Sequence, residues 1–461
     1  MSPDFAAPAV DQALLYRHCN DQTCRNEIRM NDTPTASRRR VLYFSTRPCW
    51  PVTSGAHLRD FHLARQLSLT HELLYLGFSG PASGSGSATV RERLPELNDS
   101  RIVLVPRDPG YGAVKLLRGA LGPSPISVLN YTSPAMRAEL QRILQAEAFD
   151  VVQIEGVHLC AYLPQIRALA PRAAIVIDWH NVESELMARY ADNTSSAPRR
   201  WYARRTARLL WKSESWLLAQ CRAHSVCSER EQLQLQARAP AAEVAVINNG
   251  VDVAYFSGPS ASAAARRTIA FVGSMSYHAN VDAALYFARE VWPELLARRP
   301  DLEFTIVGSN PTAEVQALRA QRGIIVTGTV DDVRPYYHQA LAVVVPLRVG
   351  GGTRLKVLEA MASGTPVIST TLGAEGLAVT HGRDIILADS GAAFVEAVLQ
   401  LRTINEQWRQ LAARGQELVS SRYDWSIIGQ ELRDFHDRAC RPSAAAVAGA
   451  AGAAASAVAT P

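Results

Sequence analysis

Short runs of Val, Ile and Leu without strict polar alternation recur along this chain, each separated from the next by a helical stretch. A strand with one wet face alternates apolar and polar residues, so a run without alternation predicts a strand covered on both faces. In the first half these runs are "VLYFST" (41–46), "LLYLGF" (73–78), "RIVLV" (101–105), "DVVQI" (150–154), "AAIVID" (173–178) and "HSVCS" (224–228). In the second half they are "TIAFVGS" (268–274), "LEFTIVGS" (302–309), "IIVTGTV" (324–330), "LAVVVPL" (341–347), "TPVIST" (365–370) and "DIILAD" (384–389). Doubly covered strands with helices between them predict parallel sheets in a doubly wound α/β architecture.

The alternation restarts after "INNGVDVAYFSGPSASAAARR" (247–267), where turn residues give way to a Ser/Ala/Pro stretch. The expected organisation is therefore two Rossmann-like domains of similar size, 41–245 and 268–425, joined by a linker at 246–267. A helix is expected at 426–441. Residues 1–40 read as a disordered extension, and the Ala/Gly/Ser tail 442–461 as a disordered tail. Two such domains would face each other across a cleft, with ligands beyond the carboxyl ends of the strands.

Composition narrows the class. The 461 residues are 48% apolar and 20% charged, ordinary for a globular enzyme, and the formal charge of +5 does not by itself indicate a nucleic-acid partner. The cysteines (19, 24, 49, 160, 221, 227 and 440) are odd in number and include no C-x-x-C pair, which favours reduced thiols and a cytoplasmic setting. Residues 1–40 lack a signal-peptide pattern; a membrane span is the alternative reading of the Ala-rich tail, and no other segment approaches the 18 or so apolar residues that a span needs.

The strongest chemical signal is "VGGGTRLKVLEAMASGTPVIST" (349–370), which follows the expected strand "LAVVVPL". Leu355, Leu358 and Ala362 are spaced for a helix, with Thr353 as the expected N-cap and Arg354 and Lys356 in the first turn. A cation at that end of a helix costs about 0.3–1 kcal/mol. A glycine turn leading into a helix, by contrast, offers backbone N–H groups to an anion. The two cations then read as partners of a bound diphosphate, the guanidinium gripping bidentately and the ammonium acting as a point charge. Glu359 can accept from ribose hydroxyls, or it can pair with Lys356 at i, i+3.

This stretch resembles the donor segment of retaining GT-B glycosyltransferases of the family-4 type. "RPCWPVTSGAHLRDFHLARQL" (47–67), "VINNGVDVAYF" (246–256) and "IAFVGSMSYHANVDAALYFAREVWP" (269–293) are similar to further segments of the same family. "IEGVHL", "DWHNVESELMARYA" and "GSMSYHANVDA" resemble the sugar transferases of PEP-CTERM/exopolysaccharide-associated gene clusters. The resemblance implies that Gly55 faces the donor phosphate, that Arg354 and Lys356 hold the diphosphate, that Gly351, Gly352 and Thr353 give backbone contacts, and that Glu359 takes the ribose. It also implies retention of anomeric configuration, with a nucleotide-diphosphate sugar as co-substrate and no cofactor. The chain departs from the family at Gly351, where an E-x7-E pattern would place a glutamate, and in Ser274–His278, a loop that usually carries positive charge.

"IVIDWHNVESE" (175–185) places Asp178, His180 and Asn181 at an expected strand end. His180 reads as a contact to the acceptor or the reacting sugar, or as a cap of the following helix. Glu155 stands where many family members carry a histidine, with His158 three residues on; it can accept a proton or simply lie in solvent. "PRRWYARRTARLLWK" (198–212) has six basic residues and no acid, which suits either a solvated helix face or a peripheral contact with the inner face of the cell membrane. Arg59, His62 and Arg65 with Leu58, Phe61 and Leu67 predict an amphipathic helix. No G-x-G-x-x-G follows an expected strand, no G-x-x-x-x-G-K-[ST] occurs, and no D-x-D metal signature is present. With Arg354 and Lys356 to neutralise a departing diphosphate, no metal is required for that task. The expected function is transfer of a sugar from a nucleotide-diphosphate sugar to a glycan or lipid-linked acceptor. A nucleotide-sugar epimerase and a non-catalytic nucleotide-sugar-binding component remain the alternatives.

Overall fold

The computed structural model describes residues 38–52, 55–81, 88–107, 112–258, 266–350, 354–401 and 406–441. The expectations for 1–37 and 442–461, and the contacts expected of Gly351, Gly352 and Thr353, lie outside the described residues. The chain forms two compact units. One takes in described residues of Thr35–Pro48, Ala64–Ile247 and Gly429–Pro461; the other contains those of Cys49–Leu63 and Asn248–Ile428.

The first unit is built on an eight-stranded sheet. Its strands are β1 (Arg40–Phe44), β2 (Glu72–Pro81), β3 (Val90–Leu94), β4 (Ser100–Arg107), β5 (Val151–Glu155), β6 (Ala174–Trp179), β7 (Ala223–Val226) and β8 (Glu243–Val246). They lie in the order β3-β4-β2-β1-β5-β6-β7-β8. Val41, Leu42, Tyr43 and Phe44 are all fully buried, as a run without alternation requires when both faces of a sheet are covered. Every pairing is parallel except that of β3 with β4. β3 was not among the expected strands. Its sequence, VRERL, has no apolar run, and its first four residues are exposed, the composition of an edge strand protected by charge from pairing with another chain. β8 is a second unanticipated strand, only four residues long.

The second unit carries six parallel strands. These are β9 (Thr268–Val272), β10 (Glu303–Val307), β11 (Ile324–Gly328), β12 (Ala340–Val345), β13 (Val367–Ser369) and β14 (Ile386–Leu387), in the order β11-β10-β9-β12-β13-β14. The leading part of helix Gly55–Ser68 belongs here too. The polar positions Arg59 and His62 of that helix are buried rather than solvated. Arg59 donates to the Asn248 carbonyl at 3.1 Å and to Asn249 Oδ1 at 3.0 Å, and the His62 ring stacks on Trp425 with centroids 4.7 Å apart.

Among the parallel strands of each sheet the order reverses once, between β1 and β5 and between β9 and β12. At such a switch point the connections leave in opposite directions and open a crevice beyond the carboxyl ends of the strands. The residues with chemical potential stand at these two places.

Candidate active site

Beyond β12 the chain reaches Gly350, whose φ of +106° lies in the region that favours glycine. A Cβ there would stand 3.1 Å from the Ala279 Cβ and 3.3 Å from the Tyr277 hydroxyl. The helix that follows runs Leu355–Ala362, and its N-cap residue is Arg354, one position later than the expected Thr353. The side chain of Arg354 accounts for the difference. It is 5% exposed, and it folds back to donate from Nη2 to the Gly350 carbonyl at 3.1 Å and from Nε and Nη2 to the Leu372 carbonyl at 3.3 Å. That fold-back holds Arg354 at φ −89°, ψ 72°, outside helical geometry. Among the described residues, neither an acid in the first turn nor a side-chain cap from Arg354 offsets the positive end of the helix dipole.

Lys356 is the second residue of this helix. Its ammonium donates to Asn280 Oδ1 at 2.7 Å and stands 4.6 Å from the centre of the Phe271 ring. Among the described residues no carboxylate lies within ion-pair distance of it. Burial, and after it the charge of Arg354, pushes its pKa down to about 7, with Glu359 pulling the other way. Gly273, just past β9, makes room for this arrangement: a Cβ there would stand 2.8 Å from both Lys356 Nζ and Asn280 Nδ2. Asn280 is itself anchored, donating from Nδ2 to the Ser274 carbonyl at 2.9 Å. Glu359 does not pair with Lys356. Its Oε2 accepts from the Tyr337 hydroxyl at 2.7 Å, and burial raises its pKa against that hydrogen bond. Gly55 also belongs to this unit, where a Cβ on it would touch Leu355 Cδ1 at 3.4 Å. The structure thus brings Gly55, Gly350, Arg354, Lys356 and Glu359 to one helix end. It adds Asn280 and Tyr337, which sequence reasoning missed because their partners lie 76 and 22 residues away.

In the eight-stranded unit, Glu155 ends β5 and His180 follows β6. His180 Nε2 lies 3.0 Å from Glu155 Oε2. Glu155 is 1% exposed, which sets aside the reading of a solvated strand-end carboxylate. Its other oxygen accepts from Gln153 Nε2 at 2.7 Å. His180 does not cap the next helix, Glu183–Asn193, whose N-cap is Val182; the amide and hydroxyl of Ser184 are instead held by the buried Glu214 at 2.8 and 2.6 Å. Asp178 lies within β6, not beyond it. It is fully buried and accepts from the Ser225 hydroxyl at 2.6 Å, so it takes no part in an open site.

Two doubly wound parallel sheets, one with a glycine turn and a cation-bearing helix end at its switch point, define the GT-B class of nucleotide-sugar-dependent folds. Comparison with known proteins agrees. A family model described as Glycosyltransferase Family 4 matches residues 87–255, and one described as Glycosyl transferases group 1 matches 266–403, together about two thirds of the chain. The chain belongs to the family-4 type of GT-B glycosyltransferases. Sucrose-phosphate synthase from Thermosynechococcus elongatus has a similar fold, with a TM-score of 0.63 at 15% identity over 87% of this chain and 99% of that one. So does the Anabaena HepE protein in complex with UDP and glucose, with a TM-score of 0.59 at 14% identity over 86% of this chain and 99% of that one. Among curated proteins, the phosphatidyl-myo-inositol mannosyltransferase of Mycolicibacterium smegmatis is 29% identical over 214 residues, 44% of this chain and 54% of that protein. An uncharacterised protein of the Klebsiella pneumoniae cps region is 22% identical over 164 residues, 34% of this chain and 42% of that protein. The chain spans about half the length of the curated relatives it matches.

Proposed function

We propose that this protein transfers a sugar, with retention of configuration, from a nucleotide-diphosphate sugar to a glycan or lipid-linked acceptor in exopolysaccharide or cell-envelope glycan synthesis. The observation that carries this reading is Lys356, an ammonium held at a helix amino end by an amide oxygen and an aromatic ring instead of a carboxylate. A departing diphosphate develops negative charge, and preorganised donors aimed at it lower the barrier without reorganisation. Lys356, Arg354 and the backbone around Gly351, Gly352 and Thr353 take that role, so the chemistry needs no metal for it. Glu359 keeps Oε1 for the ribose while Tyr337 holds Oε2. In the other unit, His180 contacts the acceptor or the reacting sugar, and the Glu155 carboxylate stands beside its ring, 3.0 Å from Nε2. The relatives' names support the class: one acts as a mannosyltransferase by its name, and one structural neighbour holds UDP and glucose.

Incubation with UDP-, GDP- and dTDP-sugars tests the reading. Slow release of free nucleoside diphosphate, unaffected by EDTA, supports it. Conversion to another nucleotide sugar would make the protein an epimerase, and binding without turnover would make it a non-catalytic component.

Helix Ala197–Gln220 supports a peripheral membrane contact for the same enzyme. Trp201 and Trp211 are 59% and 53% exposed, and helical spacing puts them on one face with the exposed Arg204, Arg208 and Lys212. Arg205 donates to the Gly122 carbonyl at 2.7 Å, which ties the neighbouring Leu121, 72% exposed, to this helix. Exposed indoles rimmed by cations suit the headgroup region of an anionic bilayer.

A further inference from the structure

Along the carboxyl ends of the strands in the eight-stranded unit stands a group of side chains for which the proposed reaction gives no use. Arg107 ends β4, Arg47 lies three residues past the end of β1, and His158 follows β5. Tyr131, next after helix Ile126–Asn130, joins them. Its hydroxyl accepts from Arg107 Nη1 at 3.3 Å, and the guanidinium carbon stands 5.5 Å from the ring centre. The rings of Phe78 and His158 meet it edge-on, each with centroids 5.7 Å away. Phe44, the last residue of β1, pairs with Leu76 of β2 and Ile154 of β5. A ring that touches both Phe78 and His158 therefore stands beyond the end of β1, where the chain turns through Arg47. All these residues lie in one compact unit.

Buried neighbours hold the group in place. Tyr162, fully buried, donates from its hydroxyl to the Tyr131 carbonyl at 2.7 Å and accepts from the Ser133 amide at 2.9 Å. The Arg47 carbonyl accepts from the Tyr75 hydroxyl at 2.9 Å. A Cβ on Gly77 would stand 2.5 Å from the same oxygen, so glycine is what admits that turn. The Arg47 guanidinium donates to the Thr46 hydroxyl from Nε at 3.2 Å and from Nη2 at 3.1 Å. His158 is half-buried. Burial lowers its pKa, the charges of Arg47 and His180 add to that, and Glu183 and Glu214 oppose it, which leaves the ring neutral at pH 7.

What these groups share is that they donate. A guanidinium has no acceptor, and Nε and Nη2 of Arg107 make no hydrogen bond among the described residues. Nor, among those residues, does a carboxylate stand within ion-pair distance of Arg107, so its charge is open to a ligand. The Tyr131 hydroxyl already accepts from Arg107, which leaves its proton to give. Neutral His158 adds one ring N–H. A sugar hydroxyl donates as well as accepts and would leave such a set half used, whereas the oxygens of a phosphoryl group accept only. An arginine fork grips two of them at once.

We propose that Arg47, Arg107, Tyr131 and His158 form a subsite for a phosphoryl group carried by the acceptor, which is then a sugar phosphate or a glycan joined to lipid through a diphosphate. The subsite rests on the transferase reading above, because it assigns this phosphoryl group to the acceptor and not to the donor.

Isothermal titration of the full chain tests it without turnover, with the donor helix end first saturated by whichever of UDP, GDP and dTDP binds. Glucose 1-phosphate and geranyl diphosphate are the probes, each beside its dephosphorylated counterpart. At least one phosphorylated probe is expected to bind at least tenfold more tightly than that counterpart. Which one it is separates a sugar phosphate from a lipid diphosphate. Arg107→Met should weaken that binding at least tenfold. Tyr131→Phe keeps the ring against Phe78 and His158 and removes only the hydroxyl, so the severalfold loss expected of it reports on the ligand and not on packing. The affinity for nucleotide should change in neither variant. The proposal is overturned if neither phosphorylated probe binds, if the counterparts bind as tightly, or if Arg107→Met leaves the affinity unchanged. Absence of nucleotide binding sinks the donor reading alone, and the same titration without nucleotide then still decides the subsite.

Discussion

The ammonium of Lys356 is held by Asn280 Oδ1 at 2.7 Å, an amide where a structural lysine would have a carboxylate. An amide oxygen orients the cation without neutralising it, which leaves the charge for a ligand. Replacing Asn280 by Asp removes that distinction at almost constant shape. Asn280→Asp is expected to raise the pKa of Lys356, raise the melting temperature of the unliganded protein, and weaken nucleoside diphosphate binding at least tenfold. Differential scanning calorimetry and isothermal titration check the two effects on one sample.

Lys356 also sets a pH dependence. With its pKa near 7 in the unliganded protein and about 10.4 in an unfolded chain, the folded state binds fewer protons between those values. Stability rises with pH wherever the unfolded state binds more protons, so this group adds stability as pH climbs through 7 toward 10. Binding has the opposite sign. A diphosphate favours the charged ammonium, so binding takes up a proton above pH 7 and affinity falls as pH rises. Titrations at pH 8 in buffers of different ionisation enthalpy should show that uptake. Lys356→Met should abolish it and stabilise the unliganded protein most at pH 6–7, where the native residue is charged and buried.

Arg354 has a second task besides meeting an anion. Arg354→Ala removes the guanidinium donor from the Gly350 carbonyl and leaves the Leu372 carbonyl with the Glu375 amide, at a cost of about 1–3 kcal/mol if the Gly350 carbonyl stays buried. The variant should remain folded, unfold at lower denaturant concentration, and lose donor turnover. Arg354→Lys should not restore turnover, since an ammonium cannot reproduce a planar fork that reaches two carbonyls.

His180→Ala is expected to lower kcat by about 10²–10⁴ with little change in the KM for donor, the signature of a proton-handling group. Glu155→Gln keeps the shape of the pair but not its charge, and should show the same split in weaker form. A loss confined to melting temperature would assign both residues a structural role.

Vesicle sedimentation checks the aromatic and basic face of helix Ala197–Gln220. The protein should bind vesicles containing phosphatidylglycerol and not pure phosphatidylcholine, and Trp201→Ala with Trp211→Ala should weaken binding while turnover on soluble donor stays constant.

The strands that position these groups could be read directly. "LAVVVPL" and "DVVQI" are covered on both faces and so lack alternation, and they became β12 and β5. β3 was illegible for the opposite reason: an exposed edge strand has no burial to impress an apolar pattern on it. At the site, the glycine turn and its two cations announced themselves because they break local rules, a cation at a helix amino end and consecutive glycines after a strand. Asn280, Tyr337 and Tyr131 break none. Each is an ordinary polar residue in its own segment, and its meaning comes from a partner brought near only by folding. Thr353 was the better local N-cap, but the fold-back of Arg354 onto Gly350 and Leu372, a tertiary contact, decided where the helix begins.

Isothermal titration of the folded protein with UDP, GDP and dTDP, beside the Lys356→Met variant, tests the central claim most directly. The account predicts that at least one of these nucleotides binds the native protein and that the variant binds it at least a hundredfold more weakly. Native protein that binds none of them, or a variant that binds as tightly as the native chain, would contradict it.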